Sequence, residues 1–83
     1  MIANKAIRDA LATYDQVVDF ISHTQMISKT FLNPQRALSE IYQPADYQQL
    51  TDDLNVEFKT KLKLPQVQKA KTLEDLTMLI LNA

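Results

Sequence analysis

The sequence predicts an all-α fold: a small bundle of three main helices plus one or two short helices, filling residues 1–83 as a single helical domain. Three observations lead there. The chain of 83 residues contains no glycine, the usual residue for tight hairpin turns. Its apolar residues recur at helical spacing in several segments. Proline and capping residues stand where helices should begin.

Ile7, Leu11, Tyr14, Val18 and Ile21 are spaced four, three, four and three apart, with Ala3, Ala10 and Val17 beside them. That pattern is one face of a helix over roughly 3–23. It lasts too few heptads for a coiled coil, and a bundle helix with one buried stripe is the better reading. In "HTQMISKTFL", Met26, Ile27, Phe31 and Leu32 have no clean period and are expected to plug the end of the core. Asn33 followed by Pro34 reads as a cap and first helical position. A short helix over 33–42 should bury Leu38 and Ile41, with Tyr42 beside them.

Pro44 stops that helix or starts the next. Helix 45–58 places Tyr47, Leu50, Leu54 and Phe58 inward, with Leu54 and Phe58 both expected in the core. Leu62 and Leu64 alternate with lysines, as a two-residue strand or a plain loop. Pro65 opens a short segment with Val67 and Ala70 inward. Thr72 and Asp75 form a capping box that starts the last helix, whose Leu73, Leu76, Leu79 and Ile80 face the core.

Composition excludes several function classes. The lack of glycine removes a P-loop and a dinucleotide-binding fingerprint. A net charge of −1 gives no general attraction to nucleic acid or to an anionic membrane. No cysteine is present, so no disulfide or thiolate metal site supports the core, which fits a reducing cytoplasm. The longest strongly apolar run, Met78 to Leu81, is far short of the roughly 20 residues of a spanning helix. The amino terminus has no apolar core of a signal peptide. A cytoplasmic protein with no stable membrane insertion is expected.

No catalytic constellation emerges, and the protein is expected not to be an enzyme. His23 is the single histidine and lacks the neighbours of a triad or a metal site. Asp52 and Asp53 are adjacent, so a helix points them about 100° apart, and they cannot share a proton. Ser22, Ser28 and Ser39 have no adjacent base. What remains is a charge switch. Asp46, Asp52, Asp53 and Glu57 carry the acids of the helix over 45–58. Lys59, Lys61, Lys63, Lys69 and Lys71 follow without an intervening acid. Such runs are usually solvated surface. The functional alternative is a bipolar docking face of Asp46, Asp52, Asp53, Glu57, Lys59, Lys61 and Lys63.

The stretch "LTDDLNVEFKTKLKLPQVQKAKTLEDLTMLI", Leu50 to Ile80, resembles the second half of an acyl carrier protein. Leu50 and Leu54 match the buried leucines of that family's second helix, and Phe58 the phenylalanine at its end. Leu62 stands where the family has isoleucine. Val67 and Ala70 fall at the apolar positions of its short third helix. Thr72 and Leu73 match the threonine and apolar residue that open the fourth, and Leu76 and Ile80 its inner face. The first half is looser: "ALSEIYQPADYQQL" stands in place of the family's loop, with Leu38 and Ile41 as its apolar residues. The Asp-Ser-Leu attachment motif is missing, and counting back from Phe58 puts Pro44 or Ala45 at the serine position.

That serine carries phosphopantetheine in the family, so the resemblance implies the scaffold without the cofactor. Ser39 is the one nearby hydroxyl, five residues too early and without the preceding aspartate. The implied function is a non-catalytic module that docks onto a protein partner, the acidic helix suiting a basic one and the lysines being a departure from the family. Two alternatives stay open: an unrelated small bundle, such as a bacteriocin-immunity-type protein, and an atypical bacterial carrier modified at Ser39. A short third helix crossing the bundle favours a carrier-like build, and near-antiparallel helices favour an immunity-type one.

Overall fold

The computed structural model describes the backbone of residues 2–83 and side chains from Arg8 onward. It contains four α-helices: α1 (Ile2–Gln25), α2 (Tyr47–Phe58), α3 (Leu64–Lys69) and α4 (Leu73–Leu81). Three short 3-10 turns lie between α1 and α2, at Lys29–Phe31, Leu38–Glu40 and Pro44–Asp46. The small all-α bundle predicted from the sequence is the observed fold. Among the described residues the only β-type pairing is an isolated antiparallel bridge between Ala37 and Thr72.

The core forms where the C-terminal half of α1 meets the other elements. Val17, Val18 and Ile21 from α1 pack with Leu50 and Leu54 from α2, Val67 from α3, and Leu73, Leu76 and Ile80 from α4. Leu32, Leu38, Tyr42, Leu62 and Ala70 come from the connections and complete it. In a domain this small, loop residues must supply part of the core. The two buried threonines are satisfied locally: Thr51 donates to the Tyr47 carbonyl at 2.7 Å and Thr77 to the Leu73 carbonyl at 2.8 Å.

Four expectations change. Leu11 continues the α1 stripe but is 59% exposed. A 24-residue helix rises about 36 Å, whereas the nine residues of α4 cover about 13 Å of it. Ala3 and Ile7, assigned to the same stripe, lie outside the described side chains. Phe58 is half-buried, resting edge-on against Phe20 with ring centroids 6.3 Å apart. Of the four residues expected to plug the core, Leu32 is buried and Ile27 half-buried, but Met26 is 92% and Phe31 38% exposed. Finally, 33–42 is not a helix. Asn33 Oδ1 accepts from Gln35 N at 3.0 Å, and the Asn33 carbonyl accepts from Arg36 N at 3.0 Å. Asparagine caps a turn here with the same side-chain bond that would cap a helix.

The backbone of 34–38 is used instead to clasp the start of α4. Leu38 N donates to the Lys71 carbonyl at 2.9 Å, Leu73 N to Arg36 at 3.2 Å and Glu74 N to Pro34 at 3.0 Å. Leu73 and Glu74 are the first two residues of α4, so the clasp satisfies N–H groups that have no partner inside the helix. The third is satisfied by the capping box, where Asp75 N donates to Thr72 Oγ1 at 3.1 Å and the Asp75 carboxylate accepts from Thr72 N at 3.3 Å.

Without glycine, two ordinary residues adopt the left-handed conformation that ends helices. Met26 has φ 55° after α1, and Lys59 has φ 55° after α2. Each such residue costs about 1–2 kcal/mol. At Lys59 the return is local: its N–H and that of Thr60 both reach the Asn55 carbonyl.

Candidate docking face

The seven residues of the candidate face fall into two groups and one outlier. Helical rotation of about 100° per residue places Asp46, Asp53 and Glu57, spaced seven and four apart, on one stripe. That stripe borders the C-terminal end of α1. Asp46 and Asp53 wall one cavity there, together with Phe20 and Thr24. Glu57 lines an adjoining open groove with His23 and Met26. Asp52 points away from the stripe and accepts from Gln48 Nε2 at 3.1 Å. The lysines form the second group. Lys59 is the left-handed cap of α2, and Lys61 and Lys63 lie exposed on either side of buried Leu62.

The two signs do not neutralise one another. Asp46, Asp52, Glu57, Lys59, Lys61 and Lys63 are exposed and Asp53 is half-exposed. Among the described residues the ion pairs are Lys29 with Asp19 and Arg36 with Glu40, neither from the candidate face. Three of the acids are instead engaged by neutral donors, Asp52 among them. The Asp46 carboxylate accepts from Gln43 N at 2.9 Å, and Asp53 accepts from Gln49 Nε2 at 2.8 Å.

The loop that presents the lysines is held by one side chain. The Asn55 amide donates to the Leu62 carbonyl at 2.9 Å and accepts from Leu62 N at 2.7 Å and from the Thr60 hydroxyl at 2.8 Å. It pairs with Leu62 as a strand neighbour would, drawing that leucine into the core and turning Lys61 and Lys63 out. Gln66 then accepts from Lys63 N at 2.8 Å, which starts α3. Asn55 escaped the sequence reading because nothing local marks an asparagine in α2 as a partner for a residue seven places on. Arg36 was missed too, although its partner Glu40 stands only four places on. Its guanidinium stacks 3.9 Å from the Phe31 ring centroid, donates to the Phe31 carbonyl at 2.8 Å and pairs with Glu40 at 2.7 Å.

Tyr42 is the other residue the sequence did not reveal as special. It is 4% exposed, and its hydroxyl is buried without a hydrogen-bond partner. Thr24 lies beside it, but the Thr24 hydroxyl donates to the Phe20 carbonyl at 2.8 Å. Burial raises the Tyr42 pKa to about 12; the nearby Thr24 hydroxyl opposes the rise, and Asp53, Asp46 and Tyr47 add to it. Burial also raises Tyr47, and raises Tyr14 with help from Asp15.

Ser39 sits exposed in the middle of the Leu38–Glu40 turn. His23 is exposed, and no group of three or more metal-ligating side chains occurs among the described residues. Among the described residues no helix is long and apolar enough to cross a membrane. No family model, curated protein or solved structure matches the chain.

Proposed function

We propose that the protein is a non-catalytic, acyl-carrier-like helical module that works by docking onto a protein partner through the acidic stripe of α2. The observation that carries this reading is the stripe itself: Asp46, Asp53 and Glu57 aligned beside the α1–α2 groove, with no lysine of the following segment paired to them. Uncompensated surface charge of one sign raises the encounter rate with an oppositely charged surface and fixes its orientation. The partner chemistry that fits is a basic patch. The six-residue third helix supports a carrier-like build over an up-and-down immunity-type bundle.

The test begins with capture of a partner from the source cell and continues with charge variants. Asp53→Asn with Glu57→Gln should slow association and flatten its salt dependence, because the exposed charges act through screened fields. Asp52→Asn, on the other side of α2, should change neither. Lys61→Gln with Lys63→Gln reports on the other sign. If the stripe variant binds as the parent does, the acids serve solubility and the docking assignment falls. Incubation with a broad-specificity phosphopantetheinyl transferase should add no mass; a gain lost in Ser39→Ala would make the protein a carrier.

A further inference from the structure

Charge is segregated along α2 and the segment after it. Residues 46–57 hold four acids and no base, and 59–71 hold five lysines and no acid. The docking proposed above uses the acids that border α1, which leaves Asp52 and the lysines without a role. Asp52, Val56 and Lys59 are spaced four and three apart, so they fall on one stripe of the helix surface. All three are exposed, Val56 at 81%. Among the described residues neither Asp52 nor Lys59 forms an ion pair. Asp52 accepts one neutral hydrogen bond, from Gln48 a turn earlier.

A lone exposed valine is ordinary. The order of groups around this one is not: negative, apolar, positive along one stripe. Such a stripe is complementary to its own copy turned end for end. With a two-fold axis through Val56, the two valines meet. Asp52 stands four positions to one side of that axis and Lys59 three to the other, so each Asp52 comes alongside the second copy's Lys59. Beyond them, the acid-bearing start of one α2 extends over the end of the other, where Lys61 and Lys63 are exposed. A parallel arrangement would set acid on acid and lysine on lysine, which like-charge repulsion opposes. The antiparallel one is isologous, with a single patch serving both copies.

We propose that the outer stripe of α2 is a self-association surface, on which a second copy of this chain packs antiparallel, with Val56 at the axis and an Asp52–Lys59 pair on each side. This pairing does not depend on the docking proposed above, whose acids, Asp46, Asp53 and Glu57, lie on the α1 side of the helix. Its strength follows from its size. α2 has 12 residues, which gives a face about 18 Å long and about 10 Å wide. That is far short of the roughly 800 Å² per partner of a standard interface, and exposed ion pairs add little each. The chain is therefore a monomer at micromolar concentration and pairs with a dissociation constant of about 1 mM.

The test follows amide chemical shifts and the rotational correlation time of the full chain from about 20 µM to about 2 mM at low salt. Concentration-dependent shifts centred on Asp52, Val56 and Lys59 are expected, with a correlation time that rises as the shifts do. Val56→Ser, at an exposed site and expected to melt as the parent does, should weaken association about fivefold. Asp52→Lys and Lys59→Asp each set like charges opposite one another, and each alone should weaken it about as much. An equimolar mixture of the two reversed chains should restore it, because every facing pair is again of opposite sign. Leu11→Ser, on α1, should change nothing. No concentration dependence, association unchanged in Val56→Ser, or a mixture no stronger than the single variants would overturn the assignment. So would loss of association in Leu11→Ser, which places the contact on α1. A chain that stays monomeric while Val56→Ser weakens its hold on a captured partner would overturn it too, and give the face to that partner.

Discussion

Replacing Asn55 with alanine should be among the most damaging single changes at a polar position. The side chain makes three hydrogen bonds, two to the backbone of Leu62 and one from Thr60. Each is worth about 0.5–1.5 kcal/mol net, and the loss is larger where the orphaned group stays buried. Leu62 is 6% exposed, so its N–H and carbonyl cannot both be hydrated unless the leucine leaves the core. The loop can relax partway, and the expected loss is about 2 kcal/mol. For a domain of this size that lowers Tm by roughly 8–16 °C. Thermal melting followed by far-UV circular dichroism measures it. Gln48→Ala, which removes one exposed bond to Asp52, is the control and should stay within about 0.5 kcal/mol of the parent. If Asn55→Ala melts within 2 °C of the parent, an asparagine amide does not hold the lysine loop, and Leu62 is buried for another reason.

Leu54→Ala should destabilise more than Phe58→Ala, about 3 against about 2 kcal/mol, because Leu54 is fully buried and Phe58 only half; denaturant midpoints of the two variants give the order directly. Thr72→Ala should cost about 1 kcal/mol by removing the acceptor for Asp75 N, seen as earlier melting of α4. The pH dependence has a defined window. Tyr42 is pushed from 10.0 up to about 12, so the folded chain holds that proton more tightly than the unfolded one. The associated stability is complete below pH 10 and is lost between pH 10 and pH 12, roughly 2–3 kcal/mol in all. The comparison is with Tyr42→Phe, whose stability should fall less steeply over the same range.

The helices were legible because a 3.6-residue period survives in any sequence that must bury one face. Leu50, Leu54, Leu73, Leu76 and Ile80 are where that period puts them. The period says nothing about how long the partner is, which is why Leu11 reads as core and stands exposed. Asn33 and Pro34 send the same local signal for a turn as for a helix start. Their segment is decided by carbonyls it offers to Leu73 and Glu74, nearly forty positions away. The acids and lysines of the candidate face were visible as a run, but their division into a stripe, an outlier and a loop needed the placement of α1. Asn55 and the cavity walled by Asp46 and Asp53 had no signal at all, since each depends on a neighbour that only folding supplies.

The clasp between 34–38 and the start of α4 has a consequence for how the chain reaches this structure. Most of the bundle is helical and therefore built from near neighbours in sequence, which favours fast folding. The bond from Leu73 N to the Arg36 carbonyl instead closes a loop of 37 residues, since 73 − 36 = 37. Ordering such a loop costs about 3 kcal/mol of chain entropy before the contact returns anything. The helical hydrogen bonds inside α1 and α2 can form first, while the first turn of α4 waits for that closure. Amide exchange at Leu73 and Glu74 should then report opening of the clasp, at a lower free energy than exchange at Leu54, where the opening is that of the whole molecule.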